Sequence, residues 1–254
     1  MLVLGIDFET TWAEPVDPRV MRMIEMGWVL WDTEKNIPVI MGSELVNNAP
    51  NPWDQRITDL TGITPSLIED MGVAEPDALE RLDLAALNAE YLVGHNTNEF
   101  DKIVLEQSCL RHDPSGEKFR YLHLPWIDSK TDVPFPEKIE KKGRSLEMLC
   151  MSHKFLNPFA HRALTDVLSM FQVMSHYPWD DIIAASKIPM VTVIADPKWM
   201  QPPWKDSGKS NGLVKARGYR FDPETKYWFK KIKQHLVENE KKDAGFPVGV
   251  WNKK

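Results

Sequence analysis

The sequence lacks any apolar run that approaches the length of a membrane span, and its first residues lack the basic-then-apolar order of a signal peptide. We therefore expect a cytoplasmic protein that does not enter membranes. Cysteine is scarce, and both cysteines, Cys109 and Cys150, lie in apolar, helix-like patterns. Such residues are more typical of buried thiols in a reducing compartment than of a disulfide. The last quarter of the chain has no Cys/His spacing that would support a zinc site.

What the sequence does contain is an ordinary globular composition with an uneven distribution of charge. The hydrophobic fraction of 43% and the charged fraction of 27% suit one large domain, or a main domain with a small appendage. Residues 1–197 carry 17 Lys and Arg against 31 Asp and Glu, whereas residues 198–242 carry 12 against 5. An acidic body followed by a basic segment is an expected footprint of nucleic-acid binding, although a solvated basic face would give the same charge.

The acidic body predicts a mixed sheet covered by helices. The opening apolar run after Met1 and the next two segments predict a three-stranded meander, after which strands alternate with helices. The elements predicted after the opening strand are strands Met23–Asp32, Ile37–Val46, Tyr91–Val93 and Leu122–Ile127, and helices Glu75–Asn88, Asn98–Arg111, Ser145–Phe155 and Arg162–His176. The segment Val133–Gly143 is rich in Pro and Lys and predicts a long loop.

The last quarter predicts a small basic α+β module, which we place at residues 187–254. Trp179–Ser186 is a short helix or linker before it, and Ile188–Ala195 is its first strand. A segment rich in Pro and Trp follows, with Trp199 and Trp204 as candidates for packing. Gly218–Lys230 predicts a hairpin around an Asp-Pro turn, and Phe229–Glu240 predicts the start of a closing helix.

Aromatic and cationic residues alternate in the predicted hairpin. This pattern suits nucleic-acid bases stacked on rings and phosphates paired with cations. The alternative is that Tyr219 and Trp228 form a small core, because so small a unit needs large side chains to fold. We expect most rings to be core and the cations Arg217, Arg220 and Lys230 to bind substrate.

Two carboxylates mark the end of the first predicted strand. Asp7 and Glu9 are two residues apart, so in a strand they point to the same face, and Phe8 points to the other. Neighbouring carboxylates on a buried element repel each other and lose hydration, so they need a compensating cation, of which a divalent metal is the simplest. An acidic strand end exposed to solvent is the alternative on these two residues alone.

Three further residues could converge with this pair. Asp101 lies in the first turn of a predicted helix, Asp166 lies one turn into another, and His161 precedes Asp166 by five residues. Hard oxygen ligands suit Mg²⁺ or Mn²⁺, and two such ions about 3.5–4 Å apart can clamp a phosphodiester. His161 could take the proton from the attacking water. Each residue also has a simpler interpretation. Asp101 could be favourable at its helix start through the helix dipole alone, Asp166 could be a solvated helix residue, and His161 could be an ordinary loop histidine.

The ensemble resembles the DEDDh branch of the DnaQ-like 3′–5′ exonucleases, whose fold is ribonuclease H-like. The resemblance covers about residues 1–178 and rests on four motifs in order: Asp7-Phe8-Glu9-Thr10, Leu60-Thr61-Gly62-Ile63, the run Gly94–Asp101, and the run His161–Asp166. It implies that Asp7, Glu9, Asp101 and Asp166 hold two Mg²⁺ or Mn²⁺ ions and that His161 is the general base. It also implies that the substrate-contacting set includes Phe8, Thr10, Leu60, Thr61 and Asn96.

The predicted function is therefore a metal-dependent 3′–5′ exodeoxyribonuclease that releases nucleoside 5′-monophosphates, with an exonuclease domain at residues 1–178. An exoribonuclease, or a nucleic-acid-binding scaffold that does not cut, are the alternatives. The acidic body with its added basic module favours DNA over RNA. A polymerase partner and a homodimer both stay open.

Overall fold

The computed structural model describes residues 1–12, 14, 16–50, 52–140, 142–195 and 209–251, so the predictions on Trp199 and Trp204 lie outside the described residues. The chain divides into two compact units, Met1–Ser186 and Lys187–Lys254. Among the described residues, no helix is both long and apolar enough to cross a membrane.

The first unit contains the predicted mixed sheet. Its strands are β1 Leu2–Thr10, β2 Met23–Asp32, β3 Ile37–Leu45, β4 Tyr91–Gly94 and β5 Trp126–Asp128, in the order β3-β2-β1-β4-β5. The β1–β2 and β2–β3 pairs are antiparallel, whereas β1–β4 and β4–β5 are parallel. The helices are α1 Gln55–Thr61, α2 Pro65–Met71, α3 Glu75–Ala85, α4 Asp101–His112, α5 Ser129–Asp132, α6 Glu137–Glu140, α7 Leu146–Ser152, α8 Ala163–Met174 and α9 Trp179–Ser186.

Strand β1 is apolar because helices cover both of its faces. Leu4, Ile6 and Phe8 point into one core, which also contains side chains of α3 and α4. Val3 points into a second core, which contains Phe171 and other side chains of α8. A strand buried on both faces needs apolar residues at nearly every position, which explains the opening run. Asp7 and Glu9 interrupt that run on the α8 side of the sheet.

Two glycines allow α8 to lie directly on the sheet. A Cβ atom on Gly27 of β2 would lie 2.2 Å from the backbone nitrogen of Leu164, and one on Gly5 of β1 would lie 2.3 Å from the Phe171 ring. Any larger residue at Gly27 would have to move the first turn of α8. This close approach brings the start of α8, and with it Asp166, against β1.

Several connections differ from their predictions. Strand β5 covers only Trp126–Asp128, because residues Arg120–His123 form a 3₁₀ turn. The predicted loop Val133–Gly143 contributes Val133, Phe135 and Ile139 to the core and contains α6. Apolar residues recur every few positions in this segment, which accounts for its burial. The short helix α1 was not assigned from the sequence.

The first unit also extends past residue 178. Helix α9 places Trp179 and Ile182 in the core that contains α8. The predicted short helix at this position is confirmed, but it belongs to the first unit instead of acting as a linker. Both cysteines are buried free thiols, as predicted.

The second unit is an antiparallel sheet with helices. It contains β6 Met190–Ala195, α10 Lys209–Ala216, β7 Arg220–Phe221, β8 Trp228–Lys233, α11 Val237–Asp243 and β9 Val248–Val250, with strand order β7-β8-β6-β9. The predicted hairpin is confirmed, and Asp222 accepts hydrogen bonds from the Glu224 amide and the Thr225 hydroxyl in its turn. The closing helix begins at Val237 and not near Phe229, because β8 continues to Lys233.

Candidate active site

The two acids of β1 lie beside β2 at the end of the sheet. Asp7 is opposite Gly27, and Glu9 is opposite Glu25. The side chain of Phe8 is 4% exposed and belongs to the core on the other face. Strand alternation therefore places both carboxylates on the side of the sheet that α8 covers, as the spacing predicted.

Asp101 reaches the site from the other side of the sheet through an ordered loop. Asp128, at the end of β5, accepts hydrogen bonds from the amides of Asn96 (2.9 Å) and Asn98 (3.3 Å). Asn96 has a positive φ of 68°, so the chain turns sharply there before α4 begins at Asp101. Asp101 is 3% exposed. Asp128 thus holds the loop that carries Asp101 to the end of β1.

Asp166 and His161 come from the start of α8 and the turn before it. One ligand atom each from Glu9, His161 and Asp166 lie within 4.8 Å of one another. The His161 amide donates a hydrogen bond to Asp166 Oδ2 (3.2 Å), and Asn157 Nδ2 donates to Asp166 Oδ1. The side chain of His161 is exposed, and its backbone has a φ of 62°. These contacts fix the Asp166 carboxylate and leave the imidazole at the solvent side of the site.

A fifth acid, Glu25, is buried and supports the start of α8. It is 1% exposed and accepts hydrogen bonds from Arg162 Nη2 (2.8 Å) and from the backbone amide of Ala163 (3.0 Å). Helix α8 has no side-chain cap from its own N-cap residue, so this carboxylate satisfies an amide that would otherwise lack a partner. Glu25 therefore holds Arg162, the residue between His161 and the helix, in place.

Burial raises the pKa of all four predicted metal-binding acids, and repulsion from neighbouring carboxylates adds to it. Burial raises the pKa of Asp7 well above its usual range, and Asp101 and Glu9 add to the effect. Burial, with Asp166 and Glu25 nearby, raises the pKa of Glu9 to about 8. Burial raises the pKa of Asp101 to about 7 and that of Asp166 to about 6. The cluster therefore holds more negative charge than its surroundings stabilise.

This set of donors fits divalent cations. All four acids offer hard oxygen ligands, which Mg²⁺ and Mn²⁺ prefer. Asp101 Oδ1 is buried and has no hydrogen-bond partner among the described residues, which is costly unless a cation occupies its lone pairs. Glu9, Asp166 and His161 lie close enough together to bind one ion. Asp7 and Asp101 are close enough that the charge of Asp101 raises the pKa of Asp7.

The residues predicted to contact substrate in the first unit have different surroundings. Thr10 is half-buried at the end of β1, and Leu60 is 47% exposed on α1. Phe8 is in the core, so only its backbone could reach a substrate. The Thr61 hydroxyl is buried and bonded to the carbonyl of Ile57, which makes it a structural group. Asn96 Oδ1 accepts a hydrogen bond from Lys130 Nζ (2.9 Å).

The three cations predicted to bind substrate in the second unit fall into two groups. Arg217 Nη2 and Lys230 Nζ lie 2.8 Å and 3.4 Å from Oε2 of the buried Glu240. Their charges stabilise that carboxylate, so the structure gives them a role inside the unit. Arg220 is exposed on β7 and has no ion pair among the described residues.

Sequence reasoning missed three residues that support the site. Asn157 donates a hydrogen bond to Asp166, and Asp128 accepts one from the amide of Asn96. Glu25 pairs with Arg162, which is 137 positions away in the sequence. A usable signal existed for two of them: a lone acid inside the apolar strand Met23–Asp32, and an acid directly after the strand that precedes Ser129.

Comparisons with known proteins agree with this geometry. A family model described as exonuclease, RNase_T, matches residues 4–174. No curated protein sequence matches the chain. A structure of exonuclease I aligns with 96% of this chain and 67% of its own, at 15% identity and a TM-score of 0.61.

Two further solved structures share the fold. E. coli exonuclease I in complex with a dT13 oligonucleotide aligns over 76% of this chain, at 17% identity and a TM-score of 0.54. The nuclease domain of 3′hExo, a DEDDh family member bound to rAMP, aligns over 69% of this chain and 90% of its own, at 20% identity and a TM-score of 0.55. This chain covers 48% of the E. coli enzyme's length.

Proposed function

Because the chain belongs to the exonuclease family, as the match over residues 4–174 shows, we propose that it removes nucleotides from the 3′ ends of DNA and releases nucleoside 5′-monophosphates. The predicted relation to the DnaQ-like exonucleases and the predicted ribonuclease H-like fold are confirmed. The direction of digestion, the substrate and the mechanism are our proposals.

The observation that supports them is the convergence of Asp7, Glu9, Asp101 and Asp166 with His161 at one end of the sheet. The four acids would hold two Mg²⁺ or Mn²⁺ ions, which supply charge stabilisation for the attacking and leaving oxygens. His161, exposed beside the Asp166 carboxylate, takes the proton of the attacking water.

The remaining roles belong to the walls of the site. Glu25 and Arg162 orient the turn that carries His161, and Asp128 orients the loop that carries Asn96 and Asp101. Leu60, exposed on α1, offers an apolar surface for the terminal base. Thr10 would contact the terminal nucleotide from the end of β1.

We propose DNA as the substrate because the second unit adds positive charge to an acidic nuclease. The alternative is RNA, because the same set of acids with His161 could cleave either nucleic acid. Solved structures of similar fold contain either ligand class, dT13 in one and rAMP in the other. A polymerase partner or a homodimer is compatible with both substrates.

The substrate can be tested by digesting matched single-stranded DNA and RNA 20-mers of identical sequence, with Mg²⁺, Mn²⁺ or a chelator. We expect DNA to be digested faster than RNA, and no digestion in the chelator. Asp166→Asn is the matched inactive control, since it keeps the size of the side chain and removes its charge. Faster digestion of RNA would replace the proposed substrate, and undiminished activity in excess chelator would contradict the metal requirement.

A further inference from the structure

The turn before α8 presents an exposed aromatic ring. Phe159 is 65% exposed, which makes it the most exposed Phe, Tyr or Trp side chain in the part of the chain that the structure describes. It belongs to none of the described core clusters of the first unit. Exposure of a single apolar residue is common on protein surfaces, so the role of this ring depends on how it is held and on what lies beside it.

Hydrogen bonds fix the backbone of Phe159 on both sides. Its amide donates to Asn157 Oδ1 (3.0 Å), and its carbonyl oxygen accepts from the Thr165 hydroxyl (2.6 Å). Asn157 Nδ2 in turn donates to Asp166 Oδ1, and the His161 amide donates to Asp166 Oδ2. Both ends of the turn are therefore attached to one carboxylate of the candidate metal site, with Phe159 at its midpoint. A ring on so firmly held a turn loses little freedom when a ligand packs against it.

The neighbours of the ring indicate which kind of ligand covers it. The exposed His161 follows it by two residues, so a protein docked on Phe159 would also cover the proposed general base. A nucleotide held in the site meets no such conflict, because it must lie beside both His161 and the metal-binding acids. Its base offers a flat apolar face, and bases of any sequence stack on aromatic side chains. The ring therefore suits a base of the substrate and not a protein partner.

The direction of attack identifies which base lies nearest the ring. In an in-line displacement, the water attacks the phosphorus atom from the side opposite the leaving oxygen. Release of a nucleoside 5′-monophosphate makes the 3′-oxygen of the shortened strand the leaving group, so the remaining strand lies away from the water. His161 takes the proton of that water, and Phe159 belongs to the same turn. The terminal nucleotide is therefore the part of the substrate on the side of the ring.

We propose that Phe159 stacks on the base of the 3′-terminal nucleotide and holds that nucleotide against the metal-binding acids. Leu60 offers an apolar surface for the same base from α1, and the two contacts are compatible because a base has two faces. The assignment rests on the proposed function, which determines that the strand end bound here is the 3′ end. It makes affinity depend on the presence of a terminal base and little on the identity of that base.

Binding measured without cleavage tests this contact. Fluorescence anisotropy of a thymidine tetranucleotide, labelled at its 5′ end, is measured with full-length protein in Ca²⁺, which binds oxygen ligands with looser geometry than Mg²⁺. The short strand keeps contacts far from the site to a minimum, and a gel confirms that it stays intact. A second strand is identical except that its 3′-terminal nucleotide has no base. A third strand lacks the base of the next nucleotide instead.

Phe159→Leu removes the ring and keeps an apolar side chain. It should raise the Kd of the intact strand and of the third strand at least about fivefold, the loss expected for one stacked base, and hardly change the Kd of the strand without a terminal base. Phe159→Tyr keeps the ring and should bind all three strands as wild type does. Leu156→Ala is the matched control, because Leu156 is 70% exposed in the same segment and should leave every Kd unchanged.

Equal losses on the strands with and without a terminal base would overturn the proposal, as would a loss that disappears on the third strand or no loss at all. Melting curves show whether each variant stays folded, and Phe159→Met replaces Phe159→Leu if the latter does not. Digestion of the intact strand in Mg²⁺ separates this contact from the proposed function. If wild type digests no strand, the nuclease proposal fails, and the binding comparison still decides the role of Phe159.

Discussion

At the scale of single residues, the four acids of the site destabilise one another when they are ionised, and binding a cation or a proton removes this effect. The pKa values of Glu9, Asp101 and Asp166 are raised to about 8, 7 and 6. A group whose pKa is raised by folding stabilises the fold at low pH, and this contribution is lost as pH rises through the folded-state pKa. In chelator, thermal stability should therefore fall between about pH 5 and pH 8.

Scanning fluorimetry in chelator measures this effect, with Glu9→Gln as the control that removes one of the raised groups. The variant should lose less stability than wild type over the same pH interval. Mg²⁺ should raise the melting temperature of wild type more at pH 8 than at pH 5.5, because protons compete with the metal at the lower pH. A metal effect of equal size at both pH values would contradict the proposed ligand set.

Substitutions of Asp7 and of His161 should impair different properties of the protein. Asp7→Ala should abolish turnover and weaken Mn²⁺ binding, since it deletes a ligand. His161→Ala should lower kcat by about 10²–10⁴-fold and leave Mn²⁺ affinity largely intact, because a general base acts on the attacking water. Calorimetric titration with Mn²⁺ and single-turnover kinetics measure the two properties. Equal losses of metal affinity would make His161 a ligand, which its position near Glu9 and Asp166 also permits.

At the scale of elements, the close packing of α8 on β2 positions the site. Gly27→Ala would place a Cβ atom against the Leu164 backbone and should lower the free energy of unfolding by about 1–3 kcal/mol. The variant should stay folded but lose most of its nuclease activity, because Asp166 moves with the helix. The control is Gly212→Ala in α10, whose new Cβ atom would meet no described residue within 4 Å and which should be neutral or stabilising. Retention of full activity in Gly27→Ala would contradict this account of how α8 is positioned.

The sequence predicted elements whose signal is local. Strand alternation around Asp7 and Glu9 and the Asp222 turn each depend on a few adjacent residues, and the structure confirms them. The pairing of Glu25 with Arg162 could not be predicted in this way, because the partners are 137 residues apart and meet only once α8 lies on β2. The three-residue strand β9 was missed for a related reason, since so short an element depends on tertiary packing. Helix α1 did carry local signals, because Asp54 caps its first turn and Gly62 ends it with a φ of 74°.

At the scale of the whole molecule, the charges predict that the first unit carries out hydrolysis and the basic second unit adds affinity for long strands. A chain ended after Ser186 keeps Trp179 and Ile182 in the first core, which a chain ended after Pro178 would lose. We expect the chain 1–186 to fold and to hydrolyse a dinucleotide as the full chain does. Its affinity for long single strands should be lower and should depend less steeply on salt. Equal salt slopes for the two proteins, or an unfolded circular-dichroism spectrum for chain 1–186, would contradict this division.

The central claim is that the acids of β1, α4 and α8, with His161, form a metal-dependent nuclease that starts at 3′ ends. The most direct measurement is digestion of one single-stranded DNA oligomer, labelled at either its 5′ or its 3′ end, by wild type and Asp7→Ala in Mg²⁺. Wild type should convert the 5′-labelled strand into a ladder that shortens with time, and should release the 3′ label at once as a nucleoside 5′-monophosphate. Asp7→Ala should do neither. Immediate release of the 5′ label as a mononucleotide, or equal digestion by Asp7→Ala, would contradict the account.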